Sequence, residues 1–252
     1  MALTAFVCGC TGNDRSQPQA VVILGAASTK DLLSDIAEAA SNSLDRPVEI
    51  EISTGPSHAL AQQILSGAPA DLYVSANRQW AEAVVDADLA EPAVDWLSNA
   101  LVVVVPADPT VAVDRLEDLA SESVKRVAIA GENVPAGIYA QQALSYYQLW
   151  EPLSASGKII RGHDVRSTLA YAERGEVDAA IVYATDARLT DGVRVIARLD
   201  PASHSPIVYS LVRLHGESPA ADAVYQFFVG DEARHIAERY GFQAFSVSQD
   251  EE

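Results

Sequence analysis

Cysteine is nearly missing from this 252-residue chain: Cys8 and Cys10 fall in the first ten positions, and the remaining 242 have none. That excludes a disulfide framework and a thiolate metal site beyond residue 10. Lysine is almost as scarce. Three lysines stand in a chain with 35 acidic residues and a formal net charge of −18. A nucleic-acid surface needs a basic stripe, and none is present; charge-driven binding to an anionic bilayer fails for the same reason. No later segment approaches the ~18 uninterrupted apolar residues of a membrane span. Gly-x-Gly-x-x-Gly, Gly-x-x-x-x-Gly-Lys and Gly-x-Ser-x-Gly do not occur. The five histidines (His58, His163, His204, His215, His235) are scattered, with no pair at helical metal-ligand spacing. The acidic excess reads as a solvated surface. It cannot attract an anion, so any anion site must work through local dipoles.

Residues 1–20 stand apart from the rest. An apolar, small-residue start gives way to a polar linker, Thr11 to Gln19. Val7-Cys8-Gly9-Cys10 resembles a bacterial lipobox, with Cys10 the lipid acceptor, although the basic start of an export signal is missing. The expectation is an exported protein whose membrane contact is a lipid anchor at Cys10, the alternative being a disordered N-terminus with two incidental thiols.

From residue 21 the chain alternates strand and helix patterns. Val21–Leu24, Val48–Ile52 and Leu72–Ser75 read as strands, separated by helical spacing from Leu32 to Leu44 and from Ala59 to Leu65. A βαβαβ order favours a parallel sheet covered by helices. Leu101–Val105, Val127–Ala130, Lys158–Ile160, Ala179–Tyr183, Arg194–Ala197 and Ile207–Leu214 read as further strands, and 218–229 and 231–240 as closing helices. The expected lobes are 21–101 with 205–252, and 102–204. A chain that crosses twice between lobes leaves a hinge and a cleft.

The chemistry gathers at the helix mouths. Val127–Ala130 ends in Gly131-Glu132-Asn133-Val134-Pro135-Ala136-Gly137, which opens a helix. The first turn of a helix leaves backbone N–H groups without intrahelical partners, at the positive end of the macrodipole. Ser28, Ser57, Ala136 and Val165 each lie at such a mouth, with Ser28 expected to cap its helix. In an α/β sheet these turns collect at the carboxyl ends of the strands. Tyr183, at the end of its own strand, adds a phenolic O–H from the same edge.

These residues resemble a known family, the molybdate-binding proteins of bacterial ABC importers. The match runs through Gly25-Ala26-Ala27-Ser28, Ser57 with Leu60-Ala61-Gln62-Gln63-Ile64, and Gly67-Ala68-Pro69-Ala70-Asp71-Leu72. It continues in Val134-Pro135-Ala136-Gly137-Ile138-Tyr139-Ala140, Asp164-Val165-Arg166, Ile181-Val182-Tyr183 and Arg239-Tyr240-Gly241-Phe242. The resemblance implies the α/β, two-lobe type II periplasmic-binding-protein fold, each lobe a mainly parallel sheet flanked by helices. It implies a molybdate or tungstate ligand held by Ser28, Ser57, Ala136, Val165 and Tyr183, with the metal bound only as its oxyanion. It implies no catalysis and no cofactor, a monomer in the periplasm or at the outer face of the membrane, and a permease with its ATPase as partner. A binding protein for another oxyanion such as sulfate, and an oxyanion sensor without transport, stay open. The departure is Pro56-Ser57-His58, where relatives often carry smaller or hydroxyl residues.

Overall fold

The computed structural model describes residues 19–44, 46–108 and 112–245. Cys10, the polar linker up to residue 18 and the acidic tail from 248 lie outside these ranges.

The first sheet is built around β1 (Gln19–Ala26), whose Val21, Ile23 and Leu24 are buried. Parallel partners flank it: β2 (Val48–Gly55) on one side and β3 (Leu72–Ser75) on the other. Between them run α1 (Lys30–Ser43) and α2 (Ser57–Leu65), each with one apolar face on the sheet. Helix α3 (Arg78–Val85) follows, and its Asn77 cap accepts from the Trp80 N–H, satisfying one of the orphan donors of the first turn. Strand β4 (Val94–Ser98) ends the first passage through this lobe.

The chain then crosses. β5 (Leu101–Pro106), β6 (Val127–Ala130), β7 (Ile159–Gly162), β8 (Ala179–Tyr183) and β9 (Val193–Arg198) form a second sheet in the order β7-β6-β8-β5-β9. Helices α4 (Pro135–Tyr146), α5 (Trp150–Ala155), α6 (Val165–Glu173) and the single turn α7 (Ala184–Ala187) accompany it. Helix α4 lies very close to β6. A Cβ on Gly137 would stand 2.2 Å from the Gly131 carbonyl oxygen and 2.4 Å from that of Ala130, so only glycine permits this approach.

After β9 the chain returns. β10 (Val208–Arg213) inserts between β3 and β4, and α8 (Pro219–Phe228), α9 (Asp231–Tyr240) and β11 (Gln243–Ala244) complete the first lobe, in the order β11-β4-β10-β3-β1-β2. Each sheet is mixed, with the parallel character concentrated in three strands: β2-β1-β3 in one and β7-β6-β8 in the other. The antiparallel strands β4, β5, β9 and β10 are those that carry the chain between lobes.

Candidate functional site

The parallel strands end level. Ala26 pairs with Gly55 at the last rung of β1 and β2, and Ala130 with Gly162 at the last rung of β6 and β7. Each end turns at once into a helix mouth. Ser28 lies two residues beyond β1, Ser57 two beyond β2, Val165 three beyond β7, and Tyr183 closes β8. The four turns and Tyr183 line one hollow between the lobes, so Ser28, Ser57, Ala136, Val165 and Tyr183 all come together. About 10 Å³ stays open at its centre, roughly the space of one water-sized sphere. The shut hollow is small and lined by all four helix mouths.

The lobes are shut on this hollow. Trp80 Nε1 donates to the Asn133 carbonyl across the cleft at 3.2 Å, and the Tyr139 hydroxyl approaches the Ala76 carbonyl at 3.5 Å. All five predicted residues are at most 4% exposed.

Ser28 departs from expectation. It does not cap α1: Ala27–Thr29 form a 3-10 turn, and Thr29 takes the cap position with no side-chain capping bond. The Ser28 hydroxyl is instead engaged by Tyr209 Oη at 2.8 Å, which frees it from the helix end and leaves it at the hollow. Asn99 Nδ2 donates to Tyr209 Oη at 3.3 Å and to Thr185 Oγ1 at 2.8 Å, tying both lobes together at the chain crossing.

Ser57 is held in a comparable way. Its Oγ accepts the Ala76 N–H at 3.0 Å, and its carbonyl accepts the Tyr73 phenol at 2.8 Å. With a donor already on its oxygen, the Ser57 hydroxyl proton is available to a ligand. Ala136 and Val165 occupy the first turns of α4 and α6, where a backbone N–H has no intrahelical acceptor.

Tyr183 supplies the most pointed observation. Its side chain is buried against Tyr209 (ring centroids 5.9 Å apart), lines the hollow, and its hydroxyl has no hydrogen-bond partner among the described residues. Burial pushes its pKa well above the ordinary phenol value, with Tyr209 and Tyr139 adding to the rise. The group therefore stays an O–H donor. A buried hydroxyl without a partner is costly, and a ligand with acceptor oxygens would satisfy it.

One carboxylate, Asp164, also lines the hollow. Its Oδ1 accepts the Ser167 N–H at 2.8 Å, so the charge is directed to the mouth of its own helix. Tyr209, Asn99 and Ala76 are absent from the sequence-derived set; Asn99 and Tyr209 carry no local pattern, and only the returning β10 brings Tyr209 beneath Ser28.

A family model described as bacterial extracellular solute-binding protein matches residues 21–243. The chain belongs to this family. Among its relatives, a Bacillus subtilis (strain 168) chain provisionally named an ABC transporter substrate-binding lipoprotein, YvgL, is 36% identical over 253 residues, 96% of each chain. The molybdate-binding protein ModA of Escherichia coli (strain K12) is 35% identical over 240 residues, covering 92% of this chain and 91% of that one. The solved periplasmic molybdate-binding protein of Azotobacter vinelandii superposes with a TM-score of 0.77 over 91% of this chain and 100% of its own, at 20% identity, which shows the common two-lobe fold. A bacterial extracellular solute-binding protein is a transport component of the binding class. Among the described residues, no helix is long and apolar enough to cross a membrane.

Proposed function

We propose that this protein captures molybdate or tungstate between its lobes and delivers the ion to a membrane permease driven by an ATPase. The observation that carries this reading is the set of uncharged donors from both lobes around one hollow, with the buried Tyr183 hydroxyl lacking a partner among the described residues. Molybdate and tungstate are dianions at neutral pH whose four oxygens only accept hydrogen bonds. A shell of N–H and O–H groups matches them, and bonds to a charged acceptor are the stronger kind. Phosphate keeps a proton at pH 7 and needs an acceptor, which a donor shell withholds. Relatives named for molybdate binding and for substrate-binding lipoproteins support the assignment.

Residues 21–101 with 205–252, and 102–204, move as the two closing units. Ser28, Ser57, Ala136, Val165 and Tyr183 hold the oxyanion, and no cofactor and no catalytic step is involved. The protein works as an exported monomer, anchored through lipid on Cys10. Titration calorimetry of the purified protein with molybdate, tungstate, sulfate and phosphate tests the reading. Heat with the first two and none with phosphate is expected. Absence of binding by molybdate and tungstate overturns it, and displacement by a large excess of sulfate redirects the assignment to that smaller ion.

A further inference from the structure

Arg166 follows Val165 at the mouth of α6 in the second lobe, yet its guanidinium lies against the first lobe. Its Nη2 is 2.7 Å from Asp31 Oδ2 on the opening turn of α1, and 3.4 Å from the Ser28 carbonyl. On its own side, Arg166 Nε stands 2.6 Å from Asp186 Oδ1, a close charge contact in which the N–H is not aligned on the oxygen. The three residues form a row, Asp186–Arg166–Asp31, that spans the cleft beside two of the five site residues.

Burial separates the two ends of the row. Asp186 is fully buried, whereas the side chains of Arg166 and Asp31 are 27% and 44% exposed. A cation held by a fully buried acid is expensive to release, because the acid's oxygens would lose their partner, most of all when it is ionised. A contact at the rim opens into water at little cost. The arginine thus belongs to the second lobe permanently and to the first lobe only when the cleft is shut. The backbone of Asp31 is itself held close: the Tyr240 hydroxyl, which donates to Asp35 at 2.8 Å, lies 3.3 Å from the Asp31 carbonyl oxygen. Burial works against the charge of Arg166, but Asp186 and Asp31 outweigh it and hold its pKa above the ordinary value. The Arg166 guanidinium is therefore charged whenever the protein is folded.

We propose that Arg166 is a positioning residue that latches the closed lobes through Asp31, slowing escape of the oxyanion without touching it. This role rests on the oxyanion capture proposed above. The latch forms after the ion has entered, so it acts on dissociation and leaves association alone. Because its outer contact is exposed and ionic, it weakens with added salt.

The test is stopped-flow tryptophan fluorescence, with Trp80 bonded across the cleft, on wild type, Asp31→Asn, Arg166→Lys and the double variant. With molybdate as the probe, Asp31→Asn should raise the dissociation rate about 3–30-fold. Association should change less than about twofold. The two substitutions should be non-additive, and salt should accelerate dissociation in wild type but not in Asp31→Asn. Thermal unfolding of the ligand-free Asp31→Asn protein should match wild type, which separates a latch from a general structural support. An unchanged dissociation rate in Asp31→Asn, additive losses, or equal destabilisation without ligand overturns the proposal. If wild type binds neither molybdate nor tungstate, the capture reading falls by itself. The latch is then judged with sulfate as the probe: faster dissociation from Asp31→Asn supports it, and an unchanged rate, or no binding, overturns it.

Discussion

Tyr209 Oη stands 2.8 Å from Ser28 Oγ and also receives the Asn99 amide N–H. An amide nitrogen can only donate, so the phenolic oxygen accepts there and turns its own proton toward Ser28. The Ser28 proton is then left for the hollow. A residue separated by 181 positions sets the direction of a hydroxyl at the site. Tyr209→Phe breaks the relay while keeping the ring. Molybdate affinity should fall by about 1 kcal/mol, measured by calorimetry, with the fold retained by circular dichroism.

Tyr183→Phe should act with opposite signs on two measurements. Removing a buried hydroxyl without a partner relieves the ligand-free protein, so its melting temperature should hold or rise. The ion loses a donor, and affinity should fall by about 1–2 kcal/mol. Ala136→Leu should cost more, since a bulky side chain blocks approach to the backbone N–H groups of α4. A lower melting temperature for ligand-free Tyr183→Phe would show that the hydroxyl already has a partner.

Ser57→Ala removes a ligand donor and also leaves the Ala76 N–H without its acceptor. The loss in binding should be about 1–3 kcal/mol, accompanied by a smaller loss in ligand-free stability. Ser28→Ala should weaken binding by a similar amount. Unchanged affinity in both, by calorimetry, would move the site elsewhere.

Asp186 gives a pH signature. Burial lifts its pKa from 3.8 to about 7, helped by Asp164 and Asp31 and opposed by Arg166. In that window the folded chain keeps a proton that the unfolded chain has released. Unfolding free energy should therefore decline as pH rises from about 4 to about 7 through this group. Asp186→Asn should flatten that part of the curve, measured by denaturant titration at several pH values. A slope identical to wild type would show that Asp186 is ionised throughout.

The helix mouths were legible in the sequence because each follows an apolar run and a small-residue turn, as at Gly25–Ser28 and Ile129–Ala136. Strand β4 was not legible, since only Trp96 and Leu97 of Val94–Ser98 are buried and no alternation marks it. Helix α7 and strand β11, four and two residues long, are too short to show a period. Ser28 followed by Lys30-Asp31 suggested a cap, but its hydroxyl found a tertiary partner on β10. Local spacing could not anticipate that, nor the row from Asp186 through Arg166 to Asp31, which depends on how two sheets meet.

The insertion of β10 between β3 and β4 also bears on biosynthesis. Strand β4 pairs with β10 and β11, both made last, so the first sheet stays divided until residue 213 has left the ribosome. The strands of the second sheet lie in one continuous stretch, 101–198, and can assemble earlier. Truncation shortly before β10 should thus leave one half ordered and the other prone to aggregate, although most of its residues have already been synthesised.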